Sequence, residues 1–494
     1  MTHVAGAGLA IGLICLIIAG LVWSWRRPFV GLGLLVAGLA FHNFVLMALI
    51  GLGTPTFVVH AVQGWKEAIL ALLAVVALAR LRELRRGNAI GPLIATDWIA
   101  GAFAVVCIVY FLIPPGLLGS AASFSQRLVG LRTLVVIPLL YFLGRSLMAA
   151  DDRERLLVAC LALGAAAVVT LFGIIEVFAV PTRVWLDWGV NQYSSFLGFT
   201  YGGPQGLPEN FFITLGHDRY VRRMVSTYVS PLGIAYTGLV VFPLAIAAID
   251  CYVSEKAARW LAAGTALLIL GVAMSITRLA VIAMVGEALI LALLLRRSWV
   301  LALPPVLVVA TIVTLVPSAA IAPTVDSSLN PAGGSRHVQT TDTSTAEHQD
   351  YFIGDVLVDL QHPLGLGTGA STIRFGKQQV STGESAVLGM FGDLGVAGGL
   401  LYLALFCLTI WQGFKALSLS RAGTLEGMLP MVALVGGLAL IPISLTSDVW
   451  GDLSVTFPFW WSAGAAATLC AQRAARTKRA PEAVRARRWR ISPS

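Results

Sequence analysis

The sequence has 494 residues, of which 57% are hydrophobic and only 12% are charged, and its formal net charge is +9. Soluble globular chains carry roughly 25% charged residues, so this composition excludes an ordinary soluble protein. The apolar residues form repeated runs close to the roughly 20 residues with which a helix crosses a bilayer. Because these runs are continuous rather than alternating, they exclude a transmembrane barrel. They predict an all-α, polytopic bundle of about 12–13 transmembrane helices.

Thirteen apolar runs are predicted to be the membrane helices. The first begins almost at Met1 with no lysine or arginine before it, which favours a retained helix over a cleaved signal peptide. The six cysteines lie mostly within or at the ends of the runs, without metal-ligand spacing, and we interpret them as packing residues. In chain order the runs are 5–25, 29–51, 57–79, 94–113, 126–147, 155–180, 229–250, 259–276, 279–295, 299–317, 384–413, 427–446 and 454–471.

Short basic connectors predict the orientation of these helices. If the C-terminal tail is cytoplasmic, thirteen crossings put every basic cluster on the same side and the N-terminus outside. The tail has eight basic residues between Arg473 and Arg490. We expect it to contact anionic lipid headgroups rather than nucleic acid. The connector residues are Arg26, Arg27, Arg80, Arg82, Arg85, Arg86, Arg153, Arg155, Lys256, Arg259, Arg296, Arg297, Lys415 and Arg421.

Two long loops are predicted on the outer side. The first is rich in aromatic residues, and the second begins with a polar stretch and continues into a helix-like segment, Thr345–Leu360. Loops longer than about 15 residues are usually functional or disordered, so we expect the chemistry at the outer face. The predicted organisation is N-terminal helices 1–180, aromatic outer loop 181–228, central helices 229–317, large outer loop 318–383, C-terminal helices 384–472 and basic tail 473–494.

Ionisable residues near the outer helix ends are the first candidates for function, because a charge at membrane depth is costly. Arg223, Arg278, Arg127 and Arg132 could bind an anionic group, since a guanidinium matches phosphate oxygens. The alternative is that they extend to the interface or pair with nearby carboxylates. Glu384 could be a general base for a sugar hydroxyl, or an acid favoured by the start of a helix.

Other polar residues are weaker candidates for a functional site. Lys66 and Glu67 are adjacent and should point to different faces of one helix, and Glu176 and Glu287 could be partners of the arginines or line a cavity. The loop histidines His337, His348 and His362 do not have the spacing of a metal site. The sequence GTGAS (367–371) lacks the lysine of a phosphate loop. We therefore expect neither a metal nor a cofactor.

Four segments, in this order, resemble the O-antigen ligase and O-antigen polymerase superfamily. The resemblance covers roughly 220–470, and its specificity comes from the order and spacing of the segments. The segments are RRMVSTYVSPLGIAYTGL (222–239), SITRLAVIAMVGEALIL (275–291), PLGLGTGAS (363–371) and GESAVLGMFGDLGVAGGLLYLAL (383–405).

The resemblance implies a GT-C-like membrane glycosyltransferase that uses a glycan on undecaprenyl diphosphate, without a nucleotide sugar or a metal. The family's two diphosphate-binding arginines match Arg223 and Arg278, and Arg336 resembles a further family arginine. The family's ligases carry a histidine where this chain has Glu384, which favours a polymerase over a ligase. The choice of base stays open between Glu384, His337 and His348.

The expected reaction gives each of these residues a role. Fixed arginines would stabilise the diphosphate leaving group, and the base would take the proton of the attacking hydroxyl. Trp185 and Trp188 of the aromatic loop could stack on sugar faces, and Arg132 could add to substrate binding. We expect a glycan or lipid-A-core-like acceptor, at the outer face of a bacterial cytoplasmic membrane.

Two alternatives remain. A transporter or flippase for a lipid-linked glycan or small solute would carry internal repeats, broken helices and charge at the membrane midplane. A non-catalytic assembly partner would tolerate the loss of Arg223, Arg278 and Glu384 together. The depth of the charged residues separates transport from transfer.

Overall fold

The computed structural model describes residues 2–86, 90–199, 206–214, 219–251, 255–320, 325–326, 344–371, 384–420 and 423–489. The structure is 83% helical, which agrees with the predicted all-α class. Within the described residues, eleven helices are long and apolar enough to cross a membrane. The two other predicted runs, 299–317 and 454–471, also lie in helices. The chain is therefore a polytopic membrane helix bundle.

The N-terminal half consists of consecutive helices joined by short turns. Side chains cap several of them: Asp151 accepts a hydrogen bond from the Glu154 amide (2.9 Å), and Ser123 accepts one from the Gln126 amide (3.2 Å). The third predicted run is divided into two helices at Gly64. The helices are α1 (Thr2–Arg26), α2 (Val30–Gly51), α3 (Thr56–Gln63), α4 (Trp65–Arg86), α5 (Ala95–Leu112), α6 (Phe124–Ser146) and α7 (Asp152–Ala179).

The aromatic loop is folded into short elements. These are α8 (Arg183–Asp187), α9 (Val190–Phe196), β1 (Phe212–Thr214) and β2 (Arg219–Arg222). Strand β2 pairs antiparallel with β1 and also with β3 (Val325–Asp326), which belongs to the second long loop. The two loops therefore share one three-stranded sheet, ordered β1-β2-β3.

The C-terminal half contains the remaining spans and one helix outside them. The predicted helix-like segment of the large loop is α14, and a π-helical turn (Val432–Gly436) joins α16 to α17 within one span. The helices are α10 (Pro231–Cys251), α11 (Glu255–Met274), α12 (Arg278–Leu295), α13 (Leu303–Ala320), α14 (Ser344–Gln361), α15 (Ala386–Ser420), α16 (Met428–Met431), α17 (Gly437–Thr446) and α18 (Leu453–Trp489).

Helix α18 packs against α6 so closely that only glycine fits at two positions. A Cβ atom on Gly144 would lie 2.0 Å from the carbonyl oxygen of Trp461, and one on Gly464 would lie 1.9 Å from that of Tyr141. Small residues at such crossings let helix backbones approach within a membrane bundle. The side chains of Trp460 and Trp461 are fully buried, so the start of α18 lies in the bundle core.

Helix α15 is broken near its start. Gly395 has φ 64° and ψ −174°, which interrupts the helix. The loop after α14 fills the break: the amides of Leu366 and Gly367 donate to the carbonyls of Gly392 and Asp393 (2.8 and 3.0 Å). The interrupted backbone is thus satisfied by the protein itself, as a membrane protein requires.

The two ends of the bundle differ in character. Helices α10, α12 and α15 begin at one end of the bundle, and α11 and α17 terminate there. We call this the loop-bearing end. At the opposite end, Arg145 pairs with Asp97 (2.7 Å), and Arg297 pairs with Asp250 (2.6 Å). The predicted basic connectors between described helices, such as those after α1 and α12, belong to this opposite end.

Candidate functional site

Arg223 is held rigidly at the loop-bearing end, directly after β2. Its Nε donates to the carbonyl of Ser275 (2.7 Å), its Nη2 to Thr277 Oγ1 (2.7 Å) and its Nη1 to the carbonyl of Asn210 (3.3 Å). Burial lowers the pKa of Arg223 to about 10, and the charge of Arg278 acts in the same direction. The guanidinium therefore remains charged at neutral pH.

Arg278 begins α12, immediately after the turn that holds Arg223. Its side chain is exposed, and its charge acts on Arg223. The two positive charges repel each other, and an anion bound between the guanidinium groups would remove that cost. The turn at 275–277 thus brings together the two arginines that the sequence predicted as a pair.

Glu384 is positioned by the start of α15 and the end of α17. The Ser385 hydroxyl donates to the carbonyl of Ser444 (3.3 Å) and accepts from the Leu388 amide (3.2 Å). The Ala386 amide donates to the carbonyl of Ser447 (3.2 Å). These bonds fix the helix start, and the Glu384 side chain before it is 37% exposed at the loop-bearing end, with its Oε2 buried.

Tyr236 of α10 connects the two parts of the site. Its hydroxyl is hydrogen-bonded to that of Ser447 (2.8 Å), the residue that anchors the start of α15. Arg223, Glu384 and Asp452 are all close enough to Tyr236 for their charges to act on its hydroxyl. Residues far apart in the sequence therefore meet around Tyr236, which the sequence analysis missed because a tyrosine in an apolar run is ordinarily a packing residue.

His348 lies against Glu384. Its Nδ1 is 2.8 Å from Glu384 Oε2, and the two side chains are 44% and 37% exposed. The sequence offered these residues as alternative bases. In the structure they are neighbours, because α14 carries His348 to the start of α15.

Arg127 and Arg132 are engaged elsewhere. Arg127 donates to the carbonyl of Ile113 (2.7 Å) and also to that of Phe111, so it closes the last turn of α5. Arg132 forms an ion pair with Glu67 (2.6 Å). An anionic substrate would have to compete with Glu67 for Arg132. The ion pair matches the alternative that these arginines pair with nearby carboxylates.

A second polar cluster surrounds Lys66, which is 2% exposed. Its Nζ lies 3.0 Å from His42 Nε2, and the Nε1 of Trp65 donates to His42 Nδ1 (3.1 Å). Glu67 is exposed and pairs with Arg132 (2.6 Å), but its Oε2 also lies 3.6 Å from Lys66 Nζ, so the adjacent side chains, which we expected on different faces, contact each other.

The tryptophans of the aromatic loop face inward. Trp185 is fully buried, and its Nε1 donates to Glu176 (3.2 Å). Trp188 is half-buried, with its ring against Phe44 and Trp185. The structure contradicts the stacking role expected of Trp185, because no face of its ring is accessible to a sugar. Burial of so large an apolar surface is what stabilises this loop.

Asp393 explains the glycine-rich turn at 367–371. Its carboxylate accepts hydrogen bonds from the amides of Gly369 and Ser371, both 2.8 Å. The amides of the turn thus bind an internal carboxylate rather than a phosphate. The available signal was an acid in the middle of the apolar run 384–413, and we did not use it in the prediction.

Two predicted candidates, Arg336 and His337, lie outside the described residues. In the part of the chain that is described, no group of three or more His, Cys, Asp and Glu residues has the arrangement of a metal site. The described site therefore consists of two arginines, a tyrosine and a carboxylate–imidazole pair. No protein-family model matches this chain, and no curated protein matches it.

Proposed function

We propose that this chain is a membrane glycosyltransferase that moves a glycan from undecaprenyl diphosphate to a glycan acceptor. The observation that carries the proposal is that Arg223 is bonded to Thr277, the residue before Arg278, and that the charges of Arg223 and Glu384 both act on Tyr236. A cationic end and a proton-accepting end are what transfer from a diphosphate donor requires. The resemblance of 220–470 to the O-antigen ligase and polymerase superfamily supports the same reaction.

The arginines provide the cationic end. As the bond between the anomeric carbon and the phosphate oxygen breaks, negative charge develops on the diphosphate. Arg223 is fixed by three hydrogen bonds and needs no reorganisation, whereas Arg278 is exposed and can meet the substrate. Preorganised donors of this kind stabilise the transition state more than the ground state.

Glu384 anchors the proton-accepting end. Its anchored helix start keeps Glu384 close enough for its charge to act on Tyr236, while the side chain as a whole stays partly exposed to an acceptor sugar. We favour a polymerase over a ligase, because the position that carries histidine in the family's ligases is Glu384 here. The acceptor is then a second lipid-linked glycan rather than a lipid-A-core-like molecule.

The basic connectors support a location in the bacterial cytoplasmic membrane with the loop-bearing end outside. Positive charge concentrates in cytoplasmic loops, and Arg297 and Arg145 lie at the opposite end of the bundle. The reaction would then take place on the periplasmic side, where polyprenyl-linked glycans rather than nucleotide sugars are the donors.

Transport of a lipid-linked glycan or small solute is the second candidate. One observation favours it: the carboxylate of Glu287, in the middle of α12, is buried without a hydrogen-bond partner among the described residues. Unpaired acids at this depth are typical of ion pathways. Against it, Arg223, Arg278 and Glu384 all lie at helix ends, and the break in α15 is filled by the protein's own loop.

The test is glycan transfer in membranes that contain the full chain and a polyprenyl-diphosphate oligosaccharide. Product length is followed by gel for the wild type, Arg278→Ala and Glu384→Gln. Arg153→Ala is the control, because Arg153 is exposed at the start of α7, at the opposite end of the bundle. We expect a ladder of lengthened lipid-linked products that Arg278→Ala loses, that Glu384→Gln forms much more slowly and that the control keeps.

Other outcomes redirect the proposal. A single transfer to a separate acceptor means a ligase. No transfer from any lipid-linked donor, or full activity of Arg278→Ala, contradicts the proposed chemistry. Uptake or flipping of a donor that depends on Glu287 but not on Arg278 would establish the transporter instead.

A further inference from the structure

We infer that His348 of α14 is the group that takes the proton from the acceptor hydroxyl, and that Glu384 is its positioning partner. This inference rests on the proposed transferase function. The geometric basis is the 2.8 Å distance between His348 Nδ1 and Glu384 Oε2. It assigns one role to each of two residues that the sequence left as competing bases.

The contact is an ion pair by distance, and Glu384 Oε2 has no aligned hydrogen-bond donor among the described residues. A carboxylate cannot donate, and two lone pairs 2.8 Å apart would repel each other, so we assign the proton to Nδ1. The neutral ring then has its lone pair on Nε2, the nitrogen remote from Glu384, and the side chain is 44% exposed. A carboxylate, an imidazole and a reacting hydroxyl in this order are the arrangement by which serine hydrolases activate their nucleophile.

An imidazole also suits the task better than a carboxylate. A base is most effective when its pKa lies near the working pH, and the ordinary pKa is about 6.5 for histidine and about 4.3 for glutamate. Glu384 contributes by stabilising the imidazolium that forms.

The fold explains how a residue of the large loop reaches the site. Helix α14 packs on the start of α15, and the loop after it is tied to α15 by the bonds of Leu366 and Gly367 to Gly392 and Asp393. His348 is therefore delivered by a helix that is fixed to the bundle at its far end.

The reaction balances with these groups alone. The O–H bond of the acceptor breaks, and its proton moves to His348 Nε2. The oxygen forms a bond to the anomeric carbon as the bond from that carbon to the diphosphate oxygen breaks, and the electron pair leaves on the diphosphate beside Arg223 and Arg278. Release of the proton to water returns His348 to its neutral form.

The experiment measures transfer by the full-length protein in membranes for the wild type, His348→Ala, Glu384→Gln and His362→Ala. His362 is the control, because it is exposed just beyond the same helix. We expect kcat of His348→Ala to fall by a factor on the order of a hundred or more, with KM for the donor unchanged. Added imidazole should restore part of this loss and have no effect on the control.

The pH profile separates the two roles. The wild-type rate should fall on the acidic side as the imidazole becomes protonated, and this limb should disappear in His348→Ala. In Glu384→Gln it should move to lower pH, because the carboxylate no longer favours the imidazolium. The inference is overturned if His348→Ala keeps its activity. It is also overturned if imidazole does not rescue the lost activity and the pH–rate profile of His348→Ala keeps its acidic limb. In either case Glu384 is the base. No transfer by the wild type overturns the proposed function itself, and this inference with it.

Discussion

Arg222 forms a buried ion pair with Glu176, and the next residue in the chain, Arg223, points instead to the turn before α12. The Glu176 carboxylate also accepts hydrogen bonds from Trp185 (3.2 Å) and the Val225 amide (3.3 Å). Consecutive side chains of an extended strand point in opposite directions, which is why β2 can serve both purposes. Arg222 holds the loop, and Arg223 belongs to the site.

Breaking the pair between Arg222 and Glu176 should destabilise the protein strongly. We expect Arg222→Met to cost about 3–5 kcal/mol, because it leaves a buried carboxylate without its counter-charge. Adding Glu176→Gln should recover part of this loss. Thermal unfolding in detergent measures both. Arg155→Ala, which removes a more exposed ion pair with Asp152, should cost less than about 1 kcal/mol. Equal losses in Arg222→Met and Arg155→Ala would contradict the buried pair.

Substitutions of Arg223 and Arg278 should both abolish transfer but differ in their effect on stability. Arg278→Ala is expected to abolish transfer while changing stability by roughly 0.5 kcal/mol or less, because the side chain is exposed. Arg223→Ala should lose both, since it leaves the carbonyl of Ser275 and the hydroxyl of Thr277 without this donor. Both predictions are checked by measuring the unfolding temperature and the transfer rate of each variant on the same preparation. A stable, inactive Arg223→Ala would show that its hydrogen bonds contribute little to the fold.

Lys66 should stabilise the N-terminal helices through its buried polar contacts. Its Nζ donates to the carbonyl of Gln63 (2.9 Å), lies 3.0 Å from His42 Nε2 and is 3.6 Å from Glu67 Oε2. Lys66→Met, which keeps the length of the side chain but removes these contacts, should cost about 1–3 kcal/mol because it leaves buried polar groups without this partner. Thermal unfolding in detergent is the measurement. A Lys66→Met variant as stable as the wild type would contradict this contribution.

Asp359 should make the stability of the loop-bearing end depend on pH. Burial raises its pKa to about 7, with added repulsion from Asp355 and Asp393. Because the folded pKa lies above the unfolded value of 3.8, the folded state binds the proton more tightly, and stability falls as pH rises from about 4 to about 7. Asp359→Asn should raise the unfolding temperature at pH 8 and change it less at pH 5. Asp350→Asn, on the same helix and exposed, should show no such difference.

The contact between α6 and α18 should not tolerate a methyl group added at Gly144 or Gly464. Gly144→Ala and Gly464→Ala would each force a Cβ to within 2.0 Å or less of a backbone oxygen, so we expect losses of about 1–3 kcal/mol or more. Gly101→Ala is the matched control in α5, because nothing lies within 4 Å of its Cβ position. It should be neutral or stabilise by up to about 1 kcal/mol. Comparable losses at Gly101 would mean that the crossing is not the cause.

Local properties of the sequence predicted the architecture well. Hydropathy and length determine whether a segment can lie in lipid as a helix, and these depend on neighbours in the chain alone. The all-α bundle and helix α14 were therefore predictable. The breaks at Gly64 and Gly395 and the π-helical turn at 432–436 were not, since the loops and helices that accommodate them are distant in sequence.

The site depended on tertiary structure to a greater degree. The sequence by itself determined which residue types were costly in a membrane and hence worth attention, among them Arg223, Arg278 and Glu384. Only the tertiary structure decided that Trp185 is buried, that Arg132 pairs with Glu67, and that His348 lies against Glu384. The physical reason is that a side chain's partner is fixed by which helix faces meet after folding, and no local pattern records that meeting.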